Sequence, residues 1–98
     1  MKRVVLRTMP DQNYGTLSWA DIVQQVIRRP LDGRGADIDE LRRGIRVLDA
    51  LDAANGSVEL EDADWEHLRQ KVQAMQWGFV DRRIVQFVDD VNTAQEVT

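Results

Sequence analysis

The sequence contains no cysteine. That excludes disulfide scaffolds, Cys-ligated zinc, iron–sulfur clusters and thiol catalysis. It contains one histidine, so a catalytic base or an imidazole metal site has no second imidazole to work with. No apolar run approaches the roughly 18–20 residues that a membrane helix needs. The N-terminal stretch MKRVVLRTMPDQ has only three consecutive apolar residues, too few for the apolar region of a signal peptide. The expected location is therefore the cytoplasm. Phosphate-binding loops are missing too. Gly33-Arg34-Gly35 fits neither G-x-G-x-x-G nor G-x-x-x-x-G-K-[ST], and no EF-hand pattern occurs.

What is present is a globular balance: 98 residues, 43% hydrophobic and 31% charged. That is the length of one domain. The expected organisation is a single domain over residues 1–92 and a polar, disordered tail over 93–98. The net charge is −4, which disfavours non-specific attraction to DNA or to anionic membranes. The charge is unevenly placed. Residues 1–56 carry 9 cations and 8 anions, whereas residues 57–98 carry 4 cations and 9 anions. Most of the cations are arginine, which suits bidentate pairing with carboxylates as well as phosphate contacts.

Local patterns predict four helices and two strands. Arg3–Arg7 and Ser57–Leu60 read as short strands that pair antiparallel, since a lone strand leaves its backbone unsatisfied. A loop over Met9–Gly15 follows the first. The first helix is expected over Trp19–Arg29. Ser18 is its cap, Leu17 and Ile22 form a hydrophobic staple, and Pro30 is its stop. After the loop Leu31–Ala36, Asp37 and Glu40 form a capping box for a second helix from Ile38 to about Ala54, ended by Asn55-Gly56. Leu41, Ile45 and Leu48 make one seam on it, and Gly44, Val47, Leu51 and Ala54 an adjoining one. Together they predict a wide core-facing surface. A third helix starts near Glu61 or Asp62, carries Trp65, Leu68, Val72 and Met75, and ends at Trp77-Gly78-Phe79. A fourth starts after Asp81 and carries Ile84, Val85, Phe87, Val88 and Val91. The expected fold class is mainly α with minor β: four helices plus a small two-stranded antiparallel sheet.

No catalytic, cofactor-binding or metal-binding residues are assigned, and the chain is expected not to be an enzyme. His67 reads as a partly exposed histidine beside Asp64. The acidic run Glu59, Glu61, Asp62, Asp64, Glu66 reads as complementation of a helix N-terminus. The candidate partner-binding residues are Arg42, Arg43 and Arg46 on the polar face of the second helix, with Trp19 and Trp77. Exposed Trp near Arg is the usual make-up of an interface. Helical spacing also offers Asp39 to Arg42 and Arg43, and Asp49 to Arg46, as neutralising partners. The segment Pro30–Asp37 is too long for the turn of a helix-turn-helix.

From Asp37 onward, the stretches DELRRGIRVLDALDAA, VELEDADWEHL and DRRIVQFVDDV resemble small proteins encoded in bacterial prophages near virion-assembly genes. The resemblance covers roughly residues 37–93 and transfers no functional residues. It implies a small bacterial protein, cytoplasmic or virion-associated, acting through protein contacts. Two functional expectations follow. The first is a non-enzymatic protein-interaction module. It would use the Arg face of the second helix and the acidic start of the third, with self-association as its simplest form. The second is a DNA-associated regulator using Arg28, Arg29, Arg34, Arg42, Arg43 and Arg46.

Overall fold

The computed structural model describes residues 1–13, 15–30 and 35–97. In chain order the elements are β1 (Lys2–Val5), β2 (Thr8–Met9), β3 (Leu17–Ser18), α1 (Trp19–Arg28) and α2 (Ile38–Asp52). Then come β4 (Ser57–Leu60), α3 (Asp62–Ala74), α4 (Arg82–Asn92) and β5 (Gln95–Glu96). No helix among the described residues is long and apolar enough to cross a membrane.

The expected pairing of the first strand with Ser57–Leu60 is present: β1 and β4 run antiparallel, with Val4 opposite Val58. The sheet content is larger than expected. β5 adds a third, antiparallel strand on the other side of β1. It lies inside the segment expected to be a disordered tail. Ion pairs explain its position: Glu96 sits 2.7 Å from Lys2 Nζ and 3.3 Å from the N-terminal ammonium. A separate two-stranded ladder joins β2 to β3, so part of the expected loop is framed by a hairpin.

The helix termini show which local signals act. Asp37 caps α2, accepting from Glu40 N at 2.8 Å, and Asp81 caps α4 through Arg83 N. Ser18 stands at the cap position of α1, but its side chain makes no capping bond. The C-terminal end of α1 is held by Lys71 instead. Its ammonium donates to Ile27 O at 2.8 Å and Arg29 O at 2.6 Å. A cation there satisfies carbonyls that the helix leaves unpaired and complements its negative end.

The core is built from one face of each element: Val4, Val58 and Leu60 from the sheet, Trp19, Val23 and Val26 from α1, Val47 and Leu51 from α2, Leu68 and Val72 from α3, and Phe87 and Val91 from α4. The Trp19 and Phe87 rings meet edge to face, 5.7 Å between centroids. Buried polar groups tie loops to this core. Asp81 and Arg83 pair at 2.7 Å, and Arg83 also donates to Met9 O and Gly15 O, fastening the β2–β3 hairpin to the start of α4. Trp65 is half-buried and donates to Val91 O at 2.9 Å. At the close α1–α2 approach, a Cβ on Gly44 would lie 3.4 Å from Ile27 Cγ2.

Candidate functional site

The five candidate partner-binding residues separate into three groups. Trp19 is fully buried. Its indole N–H donates to Asp90 Oδ2 at 2.8 Å, so Trp19 is a core residue and offers no surface. Trp19 shares the buried face of α1 with Ile22, Val23, Val26 and Ile27, and its ring meets Phe87 there.

Trp77 is half-buried and packs edge-on to Phe87, 6.3 Å between centroids. It helps line an open groove of about 450 Å³ with Leu17, Met75 and Phe79. Phe79 and Val80, in the connection between α3 and α4, are strongly exposed.

The arginines of α2 diverge. Arg46 is engaged within the chain: its Nε lies 3.1 Å from both oxygens of Asp64 and its Nη2 lies 2.9 Å from Oδ1. Pairing with Asp64 on α3 replaces the expected contact with Asp49, because α2 packs on α3 at that edge. The Asp64 carboxyl group is buried, and a bidentate guanidinium compensates a desolvated carboxylate better than one exposed neighbour does. The positive face of α2 and the acidic start of α3 therefore meet inside one chain. Asp62 is similarly drawn to the N-terminal ammonium at 2.8 Å, which holds its carboxyl below the usual range despite an opposing effect of burial. Arg42 and Arg43 remain exposed and make no ion pair among the described residues, and the expected contacts with Asp39 are not formed. Arg28 and Arg29 are exposed in the same way. Arg34 lies outside the described residues.

His67 departs from expectation. It is buried, with Nε2 lacking a hydrogen-bond partner. Burial lowers its pKa, the nearby Lys71 and Arg43 add to that, and Glu40 and Asp64 oppose it. Lys71 Nζ stands 3.0 Å from Glu40 Oε1, an ion pair whose geometry leaves that oxygen without a hydrogen bond. The cluster holds α1, α2 and α3 together. Among the described residues, no group of three or more His, Asp or Glu is placed to hold a metal ion.

The feature missed at the sequence level lies on α2 itself. Of the two seams, only Gly44, Val47 and Leu51 are buried. Ile38, Leu41 and Ile45 are 60%, 51% and 54% exposed. The core takes one stripe of α2, and the stripe about a quarter-turn around stays largely exposed, with only Leu48 at its C-terminal end packed on the core. Leu41, Ile45 and Leu48 form one wall of an open groove of about 280 Å³, with Ile27, Arg28 and Pro30 opposite. The chain matches no family model, no curated protein and no solved structure.

Chemically, this surface is an apolar strip bordered by guanidinium and carboxylate groups. It can desolvate against another apolar face and fix the register of that contact by charge.

Proposed function

We propose that this chain is a non-enzymatic protein-interaction module and that the bare seam of α2, with Arg42 beside it, is its working surface. The observation that carries the reading is the alignment of Ile38, Leu41 and Ile45, each more than half exposed, along one line of a capped helix. Contiguous exposed apolar side chains rimmed by charge mark interaction sites, whereas isolated ones do not. The resemblance to prophage-encoded proteins extends the proposal to an accessory role in phage or prophage assembly in the bacterial cytoplasm.

The nucleic-acid reading draws on Arg28, Arg29, Arg42 and Arg43, exposed cations without ion pairs among the described residues. It is weakened by the engagement of Arg46 with Asp64 and by the net charge of −4.

The test is capture by the immobilised chain from a lysate of its native cell at low salt, with and without nuclease. The wild type is compared with the double variant Leu41→Lys, Ile45→Lys. Both positions are exposed, so the fold is retained. Protein retained after nuclease by the wild type and lost by the double variant is the expected result. Retention of nucleic acid that is lost with Arg42→Ala, Arg43→Ala replaces the proposal with the regulator reading. Retention unaffected by the seam substitutions overturns the assignment of the surface.

A further inference from the structure

The bare seam has a period. Residues 38, 41, 45 and 48 advance in alternating steps of three and four, the spacing of a coiled-coil seam. Ile38, Leu41 and Ile45 are exposed, and Leu48 is half-buried at the edge of the groove beside α1. Along the outer border of this seam, on the side away from α1, run Arg42 and Asp49. They are two helical turns apart, about 10 Å along the axis. Both are exposed, and neither makes an ion pair among the described residues. Opposite charges thus stand on one border of the seam, on either side of Ile45.

We propose that this seam docks on the same seam of a second copy of the chain, as an antiparallel α2 pair whose twofold axis passes close to Ile45. The proposal rests on the interaction-module reading and names its partner. In an isologous contact each residue meets its symmetry counterpart's neighbour. With the axis near Ile45, the two Ile45 side chains meet at the centre and Leu41 packs beside Leu48 of the other copy. The outer borders of the two helices then face each other, bringing Arg42 of each copy opposite Asp49 of the other. Two symmetry-related ion pairs form from charges that make no ion pair among the described residues of each copy. Antiparallel alignment also opposes the two helix dipoles. A parallel pair would set Arg42 across from Asp37, whose carboxylate is already occupied as the cap of α2, and would leave Asp49 without a cation. One short helix pair is a small interface, so the dimer is weak and dependent on concentration.

The absence of native cysteine makes a clean test. Ile45→Cys and, separately, Ile38→Cys are introduced into the full chain and oxidised mildly at increasing protein concentration, and dimer is read on a non-reducing gel. Ile45→Cys is expected to cross-link efficiently. Ile38→Cys is not, because the two copies of residue 38 lie about 20 Å apart along the pair, far beyond disulfide reach. Equal cross-linking at both positions indicates a parallel pair and overturns the proposal, as does no cross-linking at either.

Sedimentation equilibrium then reads the charges. Arg42→Glu and Asp49→Arg each raise the dimer dissociation constant about tenfold, and combining them restores it to within about threefold of wild type. A combined variant as weak as the worse single overturns the register. Circular dichroism confirms that these exposed substitutions leave the helix content unchanged. A chain that stays monomeric but still captures a protein through the Leu41 and Ile45 surface overturns self-docking alone. A monomer that captures nothing overturns both this proposal and the function on which it rests.

Discussion

The Trp19 indole N–H donates to Asp90 Oδ2 at 2.8 Å, a bond that joins the first turn of α1 to the last turn of α4 inside the core. A large aromatic with a polar edge is buried without cost only where that edge finds an acceptor. Asp90 supplies it and is itself supported by Arg7 Nε at 2.7 Å and Gln86 Nε2 at 3.0 Å. Burial pushes the Asp90 carboxyl toward neutrality. The three donors more than offset that and hold it below the usual carboxylate range. The charge is therefore a structural element of the core.

Asp90→Ala removes the acceptor of a buried indole and the partner of Arg7. It is expected to destabilise the fold by about 2–4 kcal/mol in urea denaturation. Asp90→Asn keeps an acceptor oxygen for Trp19 and should cost about half as much. Because the folded-state pKa is depressed, the stability from Asp90 is fully present above the ordinary carboxylate pKa near 4 and is lost as pH falls through the lower folded value. The wild type should lose this part of its stability below about pH 4, and Asp90→Asn should not.

Much of the fold was legible because its determinants are local. Asp37, Asp81 and Pro30 punctuate the chain where α2, α4 and α1 begin or end, and the alternation of Ser57–Leu60 marks β4. The strand β5 left no local signal: Gln95 and Glu96 are polar and show no alternation, and their place is set by cations at the opposite end of the chain. The same limit applies to the site. Both seams of α2 are apolar, and periodicity states that two stripes exist but not which one acquires a neighbour. Arg46 has a suitable carboxylate one turn away at Asp49 and another on α3 at Asp64. The packing of two helices decides between them. Trp19 looked available as an anchor because nothing near it in sequence revealed Asp90.

Lys71→Met retains the length of the buried side chain but removes the cation. It leaves Ile27 O and Arg29 O without their donor and Glu40 without its ion-pair partner. The expected loss is about 3 kcal/mol in thermal or denaturant unfolding. Hydrogen exchange should show the loosening at the C-terminal turn of α1 before α4 is affected.

Gly44 stands in the middle of a helix with a negative-φ backbone, where glycine costs up to about 1 kcal/mol relative to alanine. The α1–α2 approach does not demand it, since an added Cβ would reach only ordinary contact, 3.4 Å from the Ile27 methyl. Gly44→Ala is expected to stabilise the chain by about 0.5–1 kcal/mol, read as a rise in the unfolding midpoint at unchanged m-value. Destabilisation would mean that Ile27 cannot yield.

His67 is buried beside Lys71 and Arg43, with Glu40 and Asp64 as the nearby opposing charges, and its folded-state pKa lies below the ordinary value. The unfolded chain therefore binds the imidazole proton more readily than the folded one. Stability from the neutral ring is fully present above the unfolded pKa near 6.5 and declines as pH falls toward the folded value. Between pH 7 and pH 5 this contribution should decline, so the wild type loses stability there that a chain without the imidazole keeps. His67→Leu removes both the titration and the unpartnered Nε2, replacing a buried polar atom with an apolar one of similar size. At pH 7 it should match or exceed the wild type. Its unfolding free energy should then fall less steeply toward pH 5, while the carboxylates shared by both proteins contribute equally. Parallel pH profiles for the two proteins would show that the imidazole titrates alike in the folded and unfolded chains, and would overturn the lowering by burial.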